Sequence, residues 1–183
     1  MRLFVGLPLA SEVLNELSEV VARLKAPQDG LRWTTPESWH ITLQFLGNTD
    51  QEHCECVLAR LEEIHAAPVQ VRLGDLGFFD RAGVFFVDVV STAELVELAG
   101  RVTAATAKCG FEAEARPYHP HITLARAKGD GRSGALKALQ HRVRQGLRFT
   151  GFSVTEFLLY ESRTLPEGAK YEVRGRFRLA GRG

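Results

Sequence analysis

The sequence predicts an α+β fold: two mostly antiparallel sheets, helices packed outside, and a central groove between two similar lobes. Three observations predict it. Runs with a period of two and runs with helical spacing alternate along the 183 residues, mostly as a helix followed by two strands. Hairpins join several strand pairs, which favours antiparallel sheets over parallel ones. One tetrapeptide, His-Ile-Thr-Leu, occurs at residues 40–43 and again at 121–124. Each copy follows a helix, a short strand and a Pro-containing turn. That repetition predicts a pseudo-twofold, with the two motif strands central and facing one another. No linker divides the halves, so residues 1–183 read as a single domain.

Residues 2–7 are apolar and end at Pro8, which predicts a first strand. Ser11 is placed to cap a helix over 12–25, in which Val13, Leu14, Leu17, Val20, Val21 and Leu24 follow helical spacing. Pro27, Asp29 and Gly30 break it. A short strand, 31–34, precedes the turn Pro36-Glu37-Ser38 and the first motif strand, 39–46. Asp50 is placed to cap a second helix, roughly 51–66. Val69, Val71 and Leu73 alternate as a strand. Phe78-Phe79, the turn Asp80 to Gly83, and Val84 to Val90 read as a hairpin. Thr92 opens a third helix, about 93–108, and Gly110 closes it. Residues 111–115 read as a strand and about 120–126 as the second motif strand. Gly129, Asp130, Gly131 and Gly134 mark a loop before a short basic helix, about 134–145. Two strands, 147–160 with a bend and 170–179, close the chain around a Pro166-Glu167-Gly168 turn.

In each motif strand, alternation sends His and Thr to one face. His40 and Thr42 oppose Ile41, Leu43 and Phe45; His121 and Thr123 oppose Ile122 and Leu124. Two imidazoles across a cleft form a general acid and a general base, because an ordinary pKa near ~6.5 lets one be neutral while the other is protonated. That pairing suits cleavage or formation of a phosphodiester. The threonine hydroxyls can donate to non-bridging phosphate oxygens. No carboxylate cluster suited to magnesium lies near either motif, so no metal and no cofactor are expected.

Composition narrows the field. Net charge is +1 with 45% hydrophobic and 25% charged residues, which excludes a large basic surface for long duplexes but allows a local basic cleft. No run approaches a membrane helix, and the apolar start is too short for a signal peptide. Three cysteines, Cys54, Cys56 and Cys109, are an odd count with no framework spacing, so a reducing cytoplasm is expected; the chain is also expected to be a monomer.

With its flanks, the repeat resembles the 2H phosphoesterase superfamily, and most nearly the RNA 2′,3′-cyclic phosphodiesterases once called 2′-5′ RNA ligases. The resemblance rests on residues 2–7, on Arg32-Trp33 and 36–47, on Pro120 to Arg126, and on a tail of 159–163, Gly168 and Tyr171. It runs through the chain in order. It implies hydrolysis of a terminal 2′,3′-cyclic phosphate on RNA, or of cyclic nucleotides, to a 2′-phosphate. It carries over His40 and His121 as the acid/base pair, with Thr42 and Thr123 holding the phosphate. His121 is assigned as base to water and His40 as acid to the 3′ oxygen, the converse giving the same residues. Arg126 ends the second motif, and a guanidinium suits a phosphate. Strict alternation puts it on the face opposite His121, unless the strand ends or bulges first. Two other readings stand beside the hydrolase: a reversible 2′-5′ ligase, and a non-catalytic module that binds RNA ends.

Several other residues weigh less. His53, Cys54, Cys56 and His65 invite a zinc reading, but residues 54 and 56 on a helix lie about 200° apart, so two solitary thiols are expected. His119 reads as a surface residue sooner than as a rim residue contacting RNA, and Trp33 and Trp39 read as core, with Trp33 at a turn where it could flank the groove. Phe4 and Tyr118 could stack on a terminal base, with core packing favoured for Phe4. Lys128, Arg132, Lys137, Arg142, Arg144 and Arg148 read equally as a solvated face or an RNA-facing one. Ser162 and Arg163 have no derived role.

Overall fold

The computed structural model describes residues 1–129 and 134–181; Asp130, Gly131 and Arg132, read above as loop and basic residues, lie outside the described residues. The architecture is α+β. One antiparallel sheet has the strand order β10-β9-β1-β3, formed by β1 (Arg2–Leu7), β3 (Ile41–Asn48), β9 (Glu156–Leu165) and β10 (Gly168–Arg178). The other has the order β2-β7-β6-β5, formed by β2 (Leu31–Trp33), β5 (Leu73–Phe79), β6 (Val84–Val89) and β7 (His121–Ala127). A two-stranded piece pairs β4 (Val69–Val71) with β8 (Phe152–Val154). The sheets touch along β3 and β7. The second motif strand is therefore interior to its sheet, but the first is an edge strand, not a central one.

Helical spacing does what it predicts. Helix α1 (Ser11–Leu24) buries Val13, Leu17 and Val21, and α2 (Gln51–Glu62) buries Cys54, Val57 and Leu61. Helix α3 (Ala93–Ala107) buries Leu95, Leu98 and Val102 among others. These join Leu3, Val5, Leu7, Ile41, Phe85, Ile122 and Leu124 in one continuous core drawn from both sheets. Each such aliphatic side chain contributes roughly 1.5–3 kcal/mol by leaving water. Asp50 caps α2 by accepting from His53 N, and Thr92 caps α3 by accepting from Leu95 N. Ser11 does not cap α1; Ala10 holds the cap position with no side-chain bond, and Ser11 is the first helical residue.

Other boundaries moved. The alternating run 69–73 splits between β4 and β5, which enter different sheets. The bend in the penultimate strand is a break between β8 and β9. Helix α4 is only Ala135–Gln140. Residues 111–115 form no strand. Phe111 packs on the core and its N–H closes α3 on the Thr106 carbonyl, but β7 already has β2 and β6 as neighbours. No helix among the described residues is long and apolar enough to cross a membrane.

The cysteine expectation is corrected. Cys56 of α2 is bonded to Cys109, just past α3, with Cα atoms 5.9 Å apart; only Cys54 is free, and it is buried. The partners are 53 residues apart, so only packing of α2 on α3 brings them together. The cysteine pattern thus no longer argues for a reducing compartment. A crosslink closing a loop of that length contributes roughly 2–4 kcal/mol. Cys56→Ser should lower the midpoint of thermal unfolding in oxidising buffer, and a reductant should bring the wild type down to the variant. Identical midpoints in oxidising buffer would refute the bond.

Candidate active site

Both motif histidines are tethered alike. His40 follows a 3-10 turn over Pro36–Ser38 and stands one residue before β3; its Nδ1 lies 2.8 Å from the Ser38 carbonyl. His121 opens β7, with Nδ1 2.7 Å from the His119 carbonyl. A carbonyl only accepts, so each Nδ1 carries the proton and donates, which leaves the lone pair on Nε2 in the neutral ring. Nε2 of His40 accepts from Thr42 Oγ1 at 2.9 Å.

The surroundings differ. The His40 ring lies on Phe4 with centroids 4.5 Å apart and meets Tyr171 edge-on at 5.2 Å. Gly6 makes room for this: a Cβ there would sit 2.9 Å from the Ile41 carbonyl and 3.5 Å from His40 Cδ2. Burial draws the His40 pKa down to about 4, against the Ser38 hydrogen bond and helped by the charges of His121 and Arg126. His121 is flanked by Phe79 and Phe86 at 5.1 and 5.3 Å. Its pKa is also lowered, mainly by burial; the His119 carbonyl opposes this, and so does Asp88. His119 is a surface residue, as read, and pairs with Asp88 at 2.8 Å beside His121.

Each motif strand also bulges at the same point. On β3, Val5 pairs with Gln44 but Gly6 with Thr42, leaving Leu43 as the extra residue. On β7, Phe85 pairs with Ala125 but Phe86 with Thr123, leaving Leu124 extra. Two consecutive residues are then buried, Leu43 with Gln44 and Leu124 with Ala125, and the alternation is reversed beyond them. Arg126 therefore emerges on the same face as His121 and Thr123. Phe45 likewise emerges beside His40 and Thr42, not on the core face as strict alternation predicts, and it is 59% exposed. Phe45 and Arg126 hold equivalent places in the repeat, one aromatic and one cationic. Across the β2–β7 ladder Arg126 faces Arg32, a like-charge pair that an anion would relieve.

One groove of about 340 Å³ takes in His40, Thr42, His121, Thr123 and Arg126, with Phe45 and Tyr171 on its wall. It continues to Arg2, Ser162 and Thr164. Of the residues weighed for stacking, Phe4 is 3% exposed and packed on His40 and Tyr160, and Tyr118, whose hydroxyl donates to the Thr42 carbonyl at 2.8 Å, is not among the residues lining the groove. Trp39 is core; Trp33 is partly buried and donates to Asp29. Arg163 turns to Glu172 and Glu161, away from the groove. No three His, Cys, Asp or Glu side chains among the described residues are grouped to hold a metal ion.

The model of the 2′-5′ RNA ligase superfamily matches residues 9–164. The chain belongs to that superfamily, whose members are 2H phosphoesterases. It is 27% identical over 94% of its length to the RNA 2′,3′-cyclic phosphodiesterase of Methanocaldococcus jannaschii, covering 98% of that protein. It is 32% identical to the RNA 2′,3′-cyclic phosphodiesterase of Thermus thermophilus, covering 99% of this chain and 91% of that one. Among solved structures it resembles TT0787 of Thermus thermophilus, with a TM-score of 0.83, 29% identity and full coverage of both chains. It also resembles E. coli LigT in complex with NADP+, with a TM-score of 0.79, 25% identity and 98% coverage of each.

Because folding favours the neutral form of His40, its contribution to stability is full above the unfolded pKa of about 6.5 and is lost as pH falls toward about 4. The loss is on the order of 3 kcal/mol at most. Urea unfolding at about pH 7 and about pH 4.5 should show a smaller pH effect in His40→Gln than in the wild type. Equal effects would mean that His40 is not held neutral.

Proposed function

We propose that this chain hydrolyses a 2′,3′-cyclic phosphate at an RNA end, or on a nucleotide, to a 2′-phosphate, without a metal ion. One observation carries this: two histidines, each with Nδ1 tied to a carbonyl two residues back, present Nε2 to one groove beside two threonines and an arginine. The names of the relatives support the same reaction.

In this reading water attacks phosphorus opposite the 3′ oxygen. One imidazole takes the proton from water as the new P–O bond forms. The other gives a proton to the 3′ oxygen as the P–O3′ bond breaks, leaving the phosphate on the 2′ oxygen. Charge on the non-bridging oxygens is met by the hydroxyls of Thr42 and Thr123 and by the Arg126 guanidinium, donors that need no metal beside them. Burial holds His40 at a pKa of about 4 and its Nε2 already accepts from Thr42 Oγ1, so it suits the base and His121 the acid, the converse of the assignment made from resemblance. A 5′ hydroxyl in place of water would turn the same machinery to 2′-5′ joining.

His40→Ala and His121→Ala should each lose on the order of a hundred- to ten-thousandfold in kcat on a nucleoside 2′,3′-cyclic phosphate. Thr42→Val and Thr123→Val should each lose roughly ten- to a thousandfold. EDTA should change nothing; inhibition by it would refute metal independence, and binding without turnover would favour an RNA-end binding module. A diester with a nitrophenolate leaving group needs no acid, so it should restore much of the loss in His121→Ala but little in His40→Ala. The reverse pattern would exchange the two roles.

A further inference from the structure

The groove extends well beyond the reacting pair. Arg2, Phe4 and Gly6 succeed one another on the groove face of β1, while Leu3, Val5 and Leu7 enter the core. Gly6 pairs with Thr42, Phe4 with Phe45, and Arg2 with Ser162. Four residues of antiparallel strand span about 13 Å, which is longer than one nucleotide. The far end is lined by Arg2, Ser162 and Thr164. None of these three side chains bonds to another described residue, although neighbouring Arg163, Arg174 and Arg176 are each matched to Glu161, Glu172 or Glu156. No carboxylate lines the groove among the described residues. An arginine and two hydroxyls are thus left for a ligand that the chain itself does not supply. Between this end and the histidines stands the exposed ring of Phe45, 5.9 Å from Phe4.

We propose that Arg2, Ser162 and Thr164 form a second phosphate subsite, which takes the phosphodiester on the 5′ side of the terminal nucleotide. The guanidinium offers paired N–H donors to the non-bridging oxygens, and the hydroxyls donate beside it. The terminal base then lies against Phe45, and its cyclic phosphate reaches the histidines. The chain prefers an RNA end to a mononucleotide for this reason. This rests on the reading of the histidine end as the seat of the cyclic phosphate.

The test is calorimetric titration with adenosine 2′-monophosphate and with adenylyl-adenosine 2′-phosphate. The wild type should bind the dinucleotide at least about tenfold more tightly. In Arg2→Gln that ratio should fall toward one, and the salt slope for the dinucleotide should drop by about one. Ser162→Ala with Thr164→Val should lower the ratio in the same direction, which keeps the test should Arg2→Gln fold poorly. A ratio unchanged in both variants, or already near one in the wild type, overturns the subsite. Hydrolysis of adenosine 2′,3′-cyclic phosphate by the same preparation tests the reaction separately. No hydrolysis with the ratio intact refutes the reaction and upholds the subsite; hydrolysis with no ratio does the opposite.

Discussion

A hydrogen bond from an imidazole Nδ1 to the carbonyl two residues earlier, made once in each half, is what the site depends on. It fixes the tautomer and the aim of His40 and His121 together. Everything around it holds the two carbonyls still. The Ser38 carbonyl belongs to a 3-10 turn that opens with Pro36. The Trp39 side chain, buried between that turn and His40, donates to Thr34 Oγ1 at 2.8 Å. Thr34 in turn donates to backbone carbonyls of Thr123 and Leu124 in the second motif. The two halves are therefore bolted together next to the paired histidines, and Tyr118 adds a second tie to the Thr42 carbonyl.

The bulges decide what stands beside the histidines. On β3 the bulge buries Gln44, whose Oε1 accepts from Thr106 of α3 at 2.7 Å. A buried polar side chain needs a partner; helix α3 supplies one to Gln44 Oε1, while Nε2 has none among the described residues. In β7 the same place is filled by Ala125, which needs no partner. A common backbone device thus supports an aromatic ring in one half and a guanidinium in the other.

Much of this was legible in the amino-acid order. Period and turn residues located four helices and most strands, and the repeated tetrapeptide pointed to the four residues that now share a groove. What alternation could not reveal was the bulge: it adds one residue without any turn signal, and so Phe45 was placed in the core and Arg126 was left between two faces. Cys56 and Cys109 were unpaired on paper because their bond depends on how α2 meets α3. Residues 111–115 have strand-like composition, yet a strand also needs a free neighbour. Arg2 reads as the start of a strand and Thr164 is not singled out; only the antiparallel pairing of β1 with β9 brings them near one another.

The position of β10 at the outer border of its sheet has a consequence for solubility. Along eleven residues it turns backbone amides and carbonyls outward with no further strand to receive them, a template on which another copy could polymerise. Lys170, Glu172, Arg174, Arg176 and Arg178 punctuate that border with charge, and a register shift at Val173/Gly175 interrupts its regularity. Fibril growth from this side would have to bury those charges, which guards a long border that no other strand among the described residues pairs with.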